Sequence, residues 1–321
     1  MGVKVSEARI GISTNTPQLV DKEKFFWLDT NFFSVDEIPF KKARDSFVEI
    51  VDVGGIPTME AEGDLLRLTG PFSQLEEESL DKRFSLFGNL GVFSSWVLKT
   101  LEEKHGIFTF HACALVREDK FLVILGGAGA GKTVFILSSL KKGWRLFSTE
   151  FVHFRVKGGV TFFKGSVKDP VRVDTLINHF LWAKEEFRVN TADSVGGKSL
   201  VDLSSYQTQE YQYTNPDVIL VVPHIEEKRR DVVHKDVDDR GAFLRTLFHN
   251  ISDKISKSTL LYREFAIPGL DSANLVQKRT ENIRNLLRSG VIKKSIIWVS
   301  GIDEVKGFFD RLDPEKTKEL Q

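Results

Sequence analysis

Residues 121–140 read FLVILGGAGAGKTVFILSSL. Five apolar residues run unbroken into Gly126, Gly127, Ala128, Gly129, Ala130 and Gly131. Lys132 and Thr133 come next, and a second apolar run follows. A strand with no polar face must be covered on both sides, so Phe121–Leu125 is expected at the centre of a sheet. Glycine carries no Cβ and tolerates positive φ, so the segment after it can curl and turn several backbone N–H groups towards one point. A helix beginning near Lys132 adds the positive end of its dipole to that point. The spacing from Gly126 to Gly131, Lys132 and Thr133 satisfies the P-loop pattern, and the strand before it and helix after it are the context that pattern requires. Lys132 is then placed to reach the β and γ phosphates of a nucleotide, and the Thr133 hydroxyl to ligate Mg²⁺.

A second stretch, SVGGKSL at 194–200, carries the same Gly-Gly-Lys-Ser chemistry. It lacks the upstream glycine, and no apolar strand precedes it. It is expected as a surface loop, with Lys198 at most a substrate contact.

Composition narrows the classes. The 321 residues suit two ordinary domains, or one large domain with an added module. Lys plus Arg and Asp plus Glu are 45 each, a neutral balance that favours neither a nucleic-acid nor a membrane-surface role. Cys113 is the one cysteine, which excludes an intrachain disulfide and a cysteine-built metal cluster and fits a reducing, cytoplasmic setting. Its expected place is a buried strand. The N-terminal residues carry acidic side chains and no long apolar core, unlike a signal peptide. No run approaches the roughly 20 apolar residues that span a bilayer. MGVKVS fits a myristoylation pattern superficially, and nothing else supports a lipid anchor.

Residues 1–85 read as short β-prone runs, clearest at 47–53 and 64–70 around Gly54, Gly55 and Pro57. A helix is expected over 88–104, with Leu90, Phe93, Val97 and Leu101 on one face and Gly106 just past its end. The runs 107–116 and 121–125 suggest a hairpin. Strands are expected at 144–148, 151–156, 160–163, 217–222 and 295–300, and helices at 238–250, 271–289 and 303–313. The span 165–215 reads as polar and irregular with one helix near 174–185. The chain therefore divides into a β-rich N-terminal module, 1–85, and a nucleotide-binding domain, 86–321, of α/β class: a P-loop kinase-like mixed sheet flanked by helices.

No LSGGQ-like signature and no Asn-Lys-x-Asp motif is present, which argues against ABC-type ATPases and Ras-like GTPases. The run HACALV with its histidine, the loop, and KKGWRLFSTEFV beyond it resemble the HPr kinase/phosphorylase family, which shares a P-loop fold with phosphoenolpyruvate carboxykinase. The resemblance covers about residues 105–165. It implies that His111 matches the family histidine near the phosphates and that Gly126–Thr133 match the nucleotide loop. Thr149 and Glu150 fall where the family has paired aspartates, one for the acceptor proton and one for Mg²⁺. Glu150 keeps a carboxylate that can hold the metal. Thr149 is no general base, because its hydroxyl is not ionised near neutral pH. The base role passes to Glu150 or His111, or catalysis is lost.

The expected function is an ATP- and Mg²⁺-dependent phosphotransferase acting on a hydroxyl, with His111, Lys132 and Glu150 catalytic and Thr133 and Glu150 on the metal. The acceptor is a small molecule or the serine of a carrier protein. The small molecule is preferred because no carrier-docking element is identifiable. The alternative is a nucleotide-binding regulatory protein with weak or no kinase activity. No nucleic-acid or membrane partner is expected, and a homo-oligomer is left open. Arg145, His224 and the run 226–230 have bland readings as surface or solvated residues.

Overall fold

The computed structural model describes residues 1–190, 194–237 and 239–312. Its chain forms two compact units: Met1–Thr109 with Ile251–Asn282, and Phe110–Asn250 with the chain from Ile283 on. The division therefore differs from a boundary at 85. The helix expected over 88–104 groups with the N-terminal segment, and so does the return segment 251–282. A buried ion pair explains part of this grouping. Arg279 is fully buried, its Nε donates to both oxygens of Glu102 at 3.0 and 2.8 Å, and its Nη1 donates to Asp271 at 2.8 Å. No local pattern in the sequence announces a pairing across 177 residues.

In the first unit, β1 (Gly2–Val5), β2 (Ala8–Thr14), β3 (Val35–Ile38), β4 (Ser46–Asp52), β5 (Thr58–Glu62) and β6 (Leu65–Gly70) form one sheet in the order β3-β1-β2-β4-β6-β5. The β2–β4 and β4–β6 pairs are parallel. Val48 and Ile50 are buried while Phe47 between strand neighbours is exposed, the alternation of a sheet with one covered face. α1 (Phe72–Glu78) follows. α2 (Val92–Thr100) runs into a π-helical turn, Leu101–His105, that stops at Gly106 with φ 60°. The expected helix and its glycine stop are both present.

From residue 108 the elements are β7 (Phe108–Arg117), β8 (Lys120–Leu125), α3 (Lys132–Leu140), β9 (Arg145–Ser148), β10 (Phe151–Val156), β11 (Val160–Phe163), β12 (Lys168–Arg172), α4 (Val173–His179), α5 (Leu181–Glu186), β13 (Lys198–Asp202), β14 (Gln212–Thr214), β15 (Asp217–Ile225), β16 (Val233–Asp236), α6 (Arg240–Ser256), β17 (Thr259–Leu261), β18 (Phe265–Ile267), α7 (Ala273–Arg288), β19 (Ile292–Ser300) and α8 (Val305–Arg311). Residue 238, the expected start of the helix at 238–250, and residue 313, the expected end of the last helix, lie outside the described residues.

The second unit is built on a mixed nine-stranded sheet in the order β14-β11-β10-β7-β8-β15-β19-β16, with β9 also paired to β7. β7 and β8 make the expected hairpin, and β8 pairs in parallel with β15 on its other side. Phe121–Leu125 is thus central and buried, as its lack of a polar face requires. Helices cover the sheet. Phe135 of α3 packs its ring against Phe308 and Phe309 of α8, and Trp144 and Trp298 extend the same cluster. The α/β class stands.

The span 165–215 is more ordered than its polarity suggests. It holds two short helices, split at Phe180, and a separate two-stranded antiparallel sheet of β12 and β13. Val171, Leu176, Ala183, Val201 and Leu203 bury a sparse apolar set in the core, too widely spaced to give a clear period. Among the described residues no helix is long and apolar enough to cross a membrane.

Candidate functional site

β8 ends at Leu125 and α3 starts at Lys132, so the glycine-rich segment joins a central strand to a helix N-terminus. Gly126 and Gly131 have φ of 148° and 95°. A Cβ on Gly126 would stand 2.3 Å from the Ala130 methyl, and one on Gly131 would stand 2.3 Å from Ile225 Cγ1 at the end of β15. The curl therefore needs glycine at both ends for conformation and for space. Within it, Ala130 N–H donates to Gly127 O at 3.2 Å. Among the described residues, the N–H groups of Gly127, Ala128, Gly129, Gly131, Lys132 and Thr133 have no hydrogen-bond partner in the protein. Six unpaired donors on consecutive turns of one loop are the chemistry of an anion cradle.

Lys132 is 7% exposed, and its Nζ donates to Gly126 O at 2.7 Å and Gly127 O at 3.2 Å. It also lies 3.3 Å from Glu150 Oε2. The other oxygen, Glu150 Oε1, is 2.6 Å from His111 Nε2. The three residues expected to be catalytic are thus joined in one chain: ammonium, carboxylate, imidazole. The backbone sets that chain. His111 O accepts from Gly126 N at 2.9 Å and from Asn250 Nδ2 at 2.8 Å, while Asn250 Oδ1 accepts from His111 N at 2.9 Å. Ala112 N donates to Glu150 O at 3.0 Å, which fixes the turn after β9 beside β7.

The remaining expected residues divide. The Thr133 hydroxyl donates to Asp169 Oδ2 at 2.8 Å. Asp169 was not singled out from the sequence. It is 5% exposed, and burial pushes its carboxyl up to about 6 against the opposing pull of the Thr133 hydrogen bond. Thr149 is 1% exposed, and its hydroxyl donates to Ser166 O at 3.1 Å and Lys168 O at 2.8 Å. Cys113 is buried in β7, as expected, with its thiol raised far above the ordinary range by burial. Arg145 is exposed on β9. His224 is exposed and pairs with Glu226 at 3.2 Å, and Arg229 closes a solvated turn on Glu226 and Asp231. Lys198 opens β13 rather than lying in a loop, and it is near enough to Asp169 to favour that carboxylate's charge.

The signal that could have found Asp169 is faint. It alternates with Val171 on the buried face of β12, an acid where an apolar residue belongs.

No protein-family model matches the sequence. No curated protein matches it either. The solved structure of the Hpr(Ser) kinase/phosphatase from Coxiella burnetii aligns with 56% of this chain and 96% of its own, at 13% identity and a TM-score of 0.23. A likeness that distant assigns neither fold nor function.

Proposed function

We propose that the chain is an ATP-dependent phosphotransferase acting on a hydroxyl, with the triphosphate seated on Gly126–Thr133. The observation that carries this reading is the set of unpaired N–H donors around a buried lysine at the start of α3. Such a cradle favours the β and γ phosphates, and Lys132 adds a point charge where the transferring group carries its negative charge.

Mg²⁺ fits the residues present. The Thr133 hydroxyl and a carboxylate beside the loop offer hard oxygen donors. Among the described residues no group of three acidic, histidine or cysteine side chains could hold a metal alone. That suits an ion that keeps waters and shares phosphate oxygens. When bound, it supplies neutralisation of phosphate charge.

In the reaction, the acceptor oxygen bonds to the γ-phosphorus. The bond to the β–γ bridging oxygen breaks, and its electron pair leaves with ADP. The acceptor proton passes to Glu150 or His111, which already share a 2.6 Å contact. A small hydroxyl compound remains the preferred acceptor, with a protein serine second.

Release of ADP, measured with and without hydroxyl compounds and seryl peptides, tests the reading. Acceptor-dependent release is expected. Nucleotide binding without any acceptor-dependent release would contradict it in favour of a regulatory nucleotide-binding protein, the reading that the absence of an acid at residue 149 favours.

A further inference from the structure

We propose that Asp169, from β12, supplies the metal-side carboxylate of the loop, and that Thr149 is the positioning residue that holds it there. The inference rests on the nucleotide reading of the loop and goes beyond it by relocating an acid to a residue no motif marks.

Three observations converge. The first is Thr133, whose hydroxyl is turned onto Asp169 Oδ2 at 2.8 Å and not onto Glu150. A threonine at the second helical position of such a loop, bonded to a buried carboxylate, forms an all-oxygen pair suited to Mg²⁺.

The second concerns Glu150. Its Oε1 meets His111 and its Oε2 meets Lys132. The carboxylate next to position 149 is therefore engaged on both oxygens with the imidazole and the loop lysine, on the proton-handling side of the site.

The third is the role of Thr149. Its N–H and hydroxyl both donate to Ser166 O, at 2.8 and 3.1 Å, and the hydroxyl also donates to Lys168 O at 2.8 Å. Gly165 N donates to Phe147 O at 3.3 Å, one step away along the same seam. These bonds stitch the end of β9 to the segment that enters β12. Lys168 is the residue immediately before Asp169, so the threonine hydroxyl fixes the backbone that carries the carboxylate. An aspartate at 149 would present a second acceptor to those two carbonyl oxygens and could donate to neither when ionised. The Thr149 hydroxyl thus positions the strand start that carries Asp169.

Calorimetric titration of ATP with and without Mg²⁺ tests this on the intact chain and needs no turnover. Wild type should bind ATP and bind it more tightly with Mg²⁺. Asp169→Asn, nearly the same shape, should bind metal-free ATP at least as tightly, because one negative charge beside the triphosphate is gone. It should lose the Mg²⁺-dependent gain by about 10–100-fold, the usual cost at a metal-supporting group. Thr149→Val should lose part of that gain, and Thr149→Ser, which keeps the hydroxyl, should restore it. Asp169→Ser is the second acid-free variant should the asparagine fold poorly, with the same expected loss. Mn²⁺ in place of Mg²⁺ gives a spectroscopic readout of the same step. The inference is overturned if Asp169→Asn and Asp169→Ser keep the full Mg²⁺ gain, or if Glu150→Gln loses it instead. Failure of wild type to bind ATP at all would sink the nucleotide reading itself, and is a different result.

Discussion

Two loops in the second unit carry glycines followed by lysine and a hydroxyl residue, and they end in different structures. In Gly126–Thr133 the glycines lie between a buried central strand and a helix, and the lysine is drawn inward onto the loop's own carbonyls. In Gly196–Ser199 the two glycines have φ of 57° and 71° and form a tight turn. Val195 and Lys198 exchange both backbone hydrogen bonds across it, at 2.9 and 3.2 Å. That is the geometry of a two-residue hairpin turn, and β13 follows it, not a helix. Its N–H groups close a ladder, whereas those of the first loop are left unpaired. The chemistry of a glycine-lysine motif is therefore decided by its flanks. A helix start aims donors at an outside anion, while a strand start uses them internally.

The comparison can be broken or sharpened by experiment. The largest effect is expected from Gly131→Ala. The new Cβ would sit at positive φ and overlap Ile225, so a loss of about 2–4 kcal/mol is expected in denaturant unfolding, together with loss of nucleotide binding. An unchanged unfolding midpoint would show that the first loop is not held as described.

A comparable but pH-dependent effect should come from the sheet beneath that loop. His153 in β10 is buried, which pushes it down to about 4 from an ordinary 6.5. The unfolded chain takes up this proton first. Stability should be whole above pH 6.5 and fall as pH drops towards 4, by about 3 kcal/mol. His153→Phe should flatten that slope in unfolding curves taken across the window, and a slope that persists would point to another group. The β12–β13 pair is a separate sheet, so the residue tests the first loop's support and not the second's.

The smallest effect belongs to the second loop. Gly197→Ala meets nothing within 4 Å and bears only the strain of its φ of 71°, so a loss of about 1 kcal/mol is expected with nucleotide binding intact. Lost nucleotide binding in that variant would give the second loop a role it lacks here.

How much of this was legible varies with the kind of signal. The loop, the strand before it and the helix after it were readable because glycine spacing and an unbroken apolar run are local properties. The same holds for the helix ending at Gly106 and for the hairpin before the loop. Asp169 was not readable, because its meaning comes from Thr133, 36 residues away, and from a strand whose pattern is only Asp169 and Val171 facing inward. The same limit hid Arg279 and Glu102, which bring 251–282 into the first unit. Thr149 could be read only as a missing acid. Its hydrogen bonds to Ser166 and Lys168 show what the hydroxyl does in its place.

The most direct test of the central claim is calorimetric titration of ATP with Mg²⁺ into wild type and Lys132→Ala. Saturable binding is expected in wild type. The variant should be about tenfold to a hundredfold weaker, the worth of a charged hydrogen bond to phosphate. Binding of equal strength in the two proteins, or none in wild type, would contradict the assignment of Gly126–Thr133 as the seat of the triphosphate.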